Sequence, residues 1–222
     1  MAKLFEPNYG LNINRLDIPV NPYDAFKCDV PNLSTSLYFV VNDSFYLKAL
    51  PQAHLPEGVI VDSLSRVAAK KPDFIARYYS KIASTDEDAI TALNTMLVQD
   101  GLLVYVPKNV KVDRAIQVIN ILRSDVDLMV NRRVLIILEE GAEAKFLFCD
   151  HSADDRNFLS TQVIEAYVGE NANLELNCLE ETHLKNTRVS NVYIQQQANS
   201  SVNHNVITLH NGVTRNRLDL VF

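Results

Sequence analysis

From Leu102 onward, apolar and polar residues alternate with a period of two, and the alternation recurs along the chain. Val134, Ile136 and Leu138, then Ala142, Ala144, Phe146 and Phe148, are matched 30 residues later by Ile164, Ala166 and Val168, then Ala172, Leu174, Leu176 and Cys178. A further shift of 26 gives Ser190, Val192 and Ile194, then Ala198, Ser200, Val202 and His204; a backward shift of 32 gives Leu102, Val104 and Val106, then Val110 and Val112. Polar corners separate the half-runs: Pro107-Lys108-Asn109, Glu139-Glu140-Gly141, Gly169-Glu170-Asn171 and Gln195-Gln196-Gln197. Period two means strands with one apolar face. A strand, a corner and a second strand, repeated in fixed register, describe rungs that bury their apolar faces only by stacking. An open antiparallel sheet would share the alternation but not the register. The small residue after each corner (Ala142, Ala172, Ala198) fits a bend with little room. The predicted fold is therefore mainly β, a right-handed parallel β-helix. Adding 26 to Val192 and Ile194 reaches Leu218 and Leu220, with the next corner due just past Phe222, so the sequence is expected to be a fragment cut within its core.

Ahead of the rungs the pattern differs. Thr35–Val41 and Ser44–Leu47 are β-branched and aromatic, and Asn42-Asp43 between them tolerates positive φ, which predicts a tight hairpin. Asn21-Pro22 and Val30-Pro31-Asn32 are turn signals. Pro72 suits a first helical position, and Phe74, Ile75, Tyr78, Tyr79 and Ile82 then form a helical stripe. A second helix is expected to start at Thr85 with Asp88 as a capping-box partner, to bury Ile90, Leu93 and Leu97, and to end at Gly101. The chain thus divides into a mixed strand and helix region over 1–100 and a partial β-helix core over 101–222.

Charge narrows the function. A net charge of -6 and no basic run argue against nucleic acid as a partner. No apolar stretch approaches the roughly 20 residues that span a bilayer, and the N-terminus lacks an apolar signal segment. Three cysteines, Cys28, Cys149 and Cys178, make an odd count with no close pair, as expected of free thiols in a reducing cytoplasm.

Candidate chemistry is sparse. Cys149 and His151 lie two apart, so a strand would turn both to one face, but metal sites need three or four ligands and no further Cys or His is near in sequence. A buried thiol and a loop histidine are the expected reading. Glu139-Glu140, Asp154-Asp155 and Glu180-Glu181 are sequence neighbours that a strand sends to opposite faces, unlike paired glycosidase carboxylates, and read as solvated corners. Asn199-Ser200-Ser201, Asn203-His204-Asn205 and His210-Asn211-Gly212 form a polar patch of the kind that stacks as internal ladders, with His204 a satisfied core histidine. No nucleotide loop or nucleophile elbow is present. No catalytic, cofactor or metal residue is assigned.

Val134-Leu-Ile-Ile-Leu-Glu-Glu-Gly-Ala-Glu-Ala144, Tyr167-Val-Gly-Glu-Asn-Ala-Asn-Leu-Glu-Leu176, Gln197-Ala-Asn-Ser-Ser201 and Thr214-Arg-Asn-Arg-Leu218, led in by Asp100-Gly-Leu-Leu-Val-Tyr-Val-Pro-Lys-Asn-Val110, resemble the core of the SufB/SufD family. The resemblance covers about 85–222, and 18–84 look like the SufD-type N-terminal region. It implies a non-catalytic scaffold subunit of the cytosolic iron–sulfur cluster assembly complex, in which SufD pairs with SufB and the SufC ATPase drives rearrangement. Lys145-Phe-Leu-Phe-Cys-Asp-His-Ser152, with Phe148 where the SufB pattern has Gly, favours SufD. The family's Cys-x-His motif and ATPase-docking helical region fall beyond Phe222, so no cofactor is expected in this stretch. The alternatives are SufB itself and a β-solenoid carbohydrate-active enzyme. An exposed last rung also predicts a homodimer through strand pairing.

Overall fold

The computed structural model describes residues 9–11, 35–48 and 55–222. Cys28 and the turn signals at Asn21-Pro22 and Val30-Pro31-Asn32 lie outside them. Strands β1 (Gly10–Leu11), β2 (Ser36–Val41), β3 (Ser44–Phe45) and β4 (Ile60–Ser63) precede three helices, α1 (Leu64–Lys70), α2 (Pro72–Ala76) and α3 (Ala89–Leu97). The rungs follow as β5 (Leu102–Val106), β6 (Ile116–Leu122), β7 (Leu128–Leu138), β8 (Glu143–Ser152), β9 (Phe158–Val168), β10 (Asn173–Glu181), β11 (Asn186–Gln196), β12 (Ser201–His210) and β13 (Val213–Val221).

Successive strands alternate between two sheets. One runs β13-β11-β9-β7-β5-β4, with β1 beside β7; the other runs β12-β10-β8-β6-β2-β3. Among the described residues, only β4 with β5 and β2 with β3 pair antiparallel, and every other pairing is parallel. This is the expected parallel β-solenoid. Its lumen is filled by even-numbered side chains, among them Val104, Ile136, Ala166 and Ile194 from one sheet and Val118, Phe146, Phe148 and Leu176 from the other. Each buried Ile or Phe of this kind contributes about 1.5–3 kcal/mol. Strand β7 is buried on both faces, because Leu135 and Ile137 point outward under Leu64, Val67 and Ile75 of the helices. That double burial explains its unbroken Val-Leu-Ile-Ile-Leu run.

Val104 pairs with Ile136, Ile136 with Ala166, Ala166 with Ile194 and Ile194 with Leu220, so the turns take 32, 30, 28 and 26 residues. The third spacing is 28, not the expected 26. Leu174 faces Val202 and Leu176 faces His204, and the last corner turn sits at Ala198-Asn199, two residues later than expected. The position after that corner is accordingly Ser200. The three corners from β7 onward each take four residues, 139–142, 169–172 and 197–200, whereas the opposite loops shorten from 153–157 to 182–185 to 211–212. Asn109, Gly141, Asn171 and Asn199 all adopt positive φ, one per corner. A Cβ at Gly141 would lie 2.4 Å from Asn109 Oδ1 of the neighbouring corner.

The front half differs from the expected helices in detail. The Asn42-Asp43 hairpin forms, with Val41 opposite Ser44 and Asn42 at φ 54°. Helix α2 starts at Pro72 as expected but stops at Ala76; Phe74, Ile75, Tyr78 and Tyr79 still cover sheet residues. Asp88 is itself the N-cap of α3, its carboxylate accepting from the Ile90 and Thr91 amides, and the buried face is Ile90, Thr91 and Asn94, while Leu93 and Leu97 are half-buried. Gly101 does not end α3, which closes at Leu97; it passes so near β7 that a Cβ would stand 2.3 Å from the Arg133 carbonyl oxygen. Helix α1 has no counterpart in the sequence reading. Its N-cap Ser63 accepts from Arg66 N and donates to Asp100 Oδ1, tying the helix to the strand lead-in.

Candidate functional site

The polar groups of the lumen form a column along the solenoid axis. Asn120, Asp150, Glu180 and Thr208 occupy one in-register, inward position on β6, β8, β10 and β12. Arg132 and Arg188 reach across from the facing sheet. Arg132 Nη1 donates to Asp150 Oδ1 at 3.1 Å and Arg188 Nε to Asp150 Oδ2 at 2.6 Å, while Asn120 Nδ2 adds a bond of 2.8 Å. Arg188 Nη1 lies 2.7 Å from Glu180 Oε1, and Thr208 Oγ1 donates to Glu180 Oε2 at 2.6 Å. All four charges are buried and balance in sign. Burial opposes ionisation of Asp150, but Arg188 and Arg132 outweigh it and hold the carboxyl below its ordinary value.

A second buried pair faces outward, beneath the helical front. Glu165 accepts from the amides of Ser80, Ile82 and Ala83 and from Arg133 Nη2. Arg133 also donates to Thr95 Oγ1 and lies under the Tyr79 ring, 4.6 Å from its centroid. One carboxylate thus takes the amides of a chain segment that has left the helical ladder, which explains why α2 is short. Asp88 extends the same logic to the last turns, meeting Asn191, Arg215 and Arg217.

The residues expected to carry chemistry are dispersed. Cys149 points outward into an apolar cluster with Phe39, Val41, Ile119 and Ile121, and His151 is half-buried beyond it. Cys178 and His204 point inward, where burial raises the thiol to about 12 and lowers the imidazole, whose Nδ1 meets the Leu176 carbonyl. They line a cavity of about 300 Å3 with Glu180, Arg188 and Asn216. Glu139-Glu140 and Asp154-Asp155 lie in corners and loops, but Glu180 is in the lumen against Arg188 and is no solvated corner. In place of the expected internal polar ladder, the Asn205–Asn177 bond of 2.9 Å lies on the outer face, because both residues stand at the outward parity. Among the described residues, no group of three or more His, Cys, Asp or Glu side chains is placed to hold a metal. The charged column was missed in the sequence, although Arg132, Asp150, Glu180 and Arg188 carried a signal: each is a charge at the inward parity. No helix of the described residues is long and apolar enough to cross a membrane.

Two successive stretches of the chain match one family, the first running through β5 into β6. Residues 1–118 match the SufBD protein N-terminal region, and residues 120–222 match the SufBD core domain of the SUF system for FeS cluster assembly. An iron-sulfur cluster assembly SufBD family protein of Arabidopsis thaliana is 31% identical over 171 residues, 77% of this chain and 35% of the relative. The iron-sulfur cluster assembly protein SufD of Bacillus subtilis is 28% identical over 134 residues, 60% of this chain and 29% of that protein. A SufBD family protein of Synechocystis is 31% identical over 120 residues, 54% of this chain and 25% of the relative. The chain therefore spans a third or so, or less, of the length of these relatives. With its two halves matched in order over nearly every residue, the chain belongs to the SufBD family of iron–sulfur cluster assembly proteins.

Proposed function

We propose that the chain is the front and first rungs of a SufD-type scaffold subunit, which pairs with a SufB paralogue and is coupled to the SufC ATPase in the cytoplasm. The observation that carries this reading is the use of the buried polar groups: Asp150, Glu180 and Glu165 are each engaged by arginines, so none is free to act as an acid, base or ligand. The likeness to SufD of Bacillus subtilis supports the SufD assignment. In this role the residues make and break no bond. They hold a rigid stack whose strand edges and outer faces meet the partner, and the iron–sulfur cluster is the complex's cargo.

The test is co-purification of the tagged chain and of the longer SufD-type protein from cells that also express SufB and SufC. Capture of SufB and SufC by the longer protein, with the ATPase lost from the 222-residue chain, supports the reading. Failure of the longer protein to capture either one refutes it.

A further inference from the structure

Eight buried side-chain nitrogen or oxygen atoms find no hydrogen-bond partner among the described residues, and five stand at the loop-side ends of β7, β9 and β11: Arg132 Nη2, Ser160 Oγ, Gln162 Oε1, and Asn186 Nδ2 and Oδ1. All four side chains are at most 2% exposed and stand at even, inward positions of β7, β9 and β11. Arg132 is the in-register neighbour of Gln162 and Ser160 that of Arg188, while Asn186 stands beside Phe158, two residues before Arg188 on β11, so all four lie at the loop-side end of the lumen that holds the charged column. Native interiors leave few such groups unpaired, and buried waters commonly satisfy those that remain.

We infer that this part of the lumen is a binding site for internal water. The chemistry selects the ligand. Arg132 Nη2 and Asn186 Nδ2 only donate, Gln162 Oε1 and Asn186 Oδ1 only accept, and Ser160 Oγ does both. Water molecules, each with two donor and two acceptor sites, match both kinds of group. An anion would oppose Gln162 Oε1 and Asn186 Oδ1, and a cation would face Arg132 and Arg188. The lumen is thus wet beside the Asp150–Arg188 column and dry around Phe146 and Ile136.

High-resolution crystals of the protein, one set soaked in bromide, test this. Solvent peaks within hydrogen-bond reach of Arg132 Nη2, Gln162 Oε1 and Asn186 Oδ1, without anomalous signal, are expected. Their loss in a Ser160→Ala/Gln162→Leu variant is expected in turn. Direct bonds among these side chains, or an anomalous bromide peak, would overturn the inference. A second readout needs no variant: magnetisation transfer from water to the Asn186 side-chain amide in the unaltered protein. Its absence also counts against an internal water site.

Discussion

Arg188 lies 38 residues beyond Asp150 in the chain, yet its Nε sits 2.6 Å from Asp150 Oδ2 while its Nη1 sits 2.7 Å from Glu180 Oε1. One guanidinium thereby joins β8, β10 and β11. Removing a single partner of such a buried pair strands the other charges, which costs about 3–5 kcal/mol. Asp150→Ala should lower the urea midpoint accordingly, with the slope unchanged. Glu140→Ala, which breaks the exposed Lys108–Glu140 pair, should leave the midpoint where it is.

The same column sets an acid limit. The folded Asp150 carboxyl is held below its ordinary value by Arg188 and Arg132 against the cost of burial, so the folded state binds this proton less readily than the unfolded chain. The stabilisation is complete above the unfolded pKa of about 3.9 and is lost as pH falls through the lower folded value. Denaturation at stepped pH below about 4 should be less steep in Asp150→Asn than in the unaltered protein.

Glu165 is expected to govern the attachment of the front. Glu165→Gln leaves Arg133 buried without its counter-ion and weakens the acceptor for three amides. A loss of about 3 kcal/mol is expected, with faster hydrogen exchange at Ser80, Ile82 and Ala83 than at the amides of β10. Uniform exchange changes across the chain would contradict this local role.

Two glycines separate backbone crowding from conformational strain. A Cβ at Gly101 meets the Arg133 carbonyl at 2.3 Å, a backbone atom that cannot step aside. At Gly141 the obstruction is the movable Asn109 side chain, although φ is 67°. Thermal melts should therefore rank Gly101→Ala below Gly141→Ala.

Among the described residues, strands β12 and β13 are each paired along one edge only, and Leu218, Leu220 and Val206 are exposed. The 222-residue chain on its own should self-associate through these edges. Sedimentation equilibrium that fits a monomer at the highest attainable concentration would refute this.

The solenoid was legible because its core is written in period two: Val134 and Ile136 have apolar counterparts in every turn. The same simplicity explains the slip at the third turn. An even shift leaves every side chain on its proper face, so alternation alone cannot separate a spacing of 26 from one of 28. The Asn or Gly at positive φ in each corner was the finer mark, since Asn171 and Asn199 are 28 apart. The front was less legible because tertiary contacts override its local signals. Phe74 to Ile82 carry a helical stripe, but Glu165, more than 80 residues away, takes the Ser80, Ile82 and Ala83 amides. Arg132 and Asp150 were passed over because charges at inward positions gain meaning only when the facing sheet is known.

The shortening from 32 to 26 residues per turn proceeds in steps of two, with the corners unchanged in length from β7 onward. Length variation in such a stack is quantised. Deleting two residues from a loop such as 153–157 draws one side of a turn inward and preserves every facing. Deleting one would send Ile164 and Ala166 outward and Glu165 into the core, or force a bulge to absorb the difference. Among related sequences, even gaps should collect on the loop side of the rungs, and odd gaps should coincide with bulges.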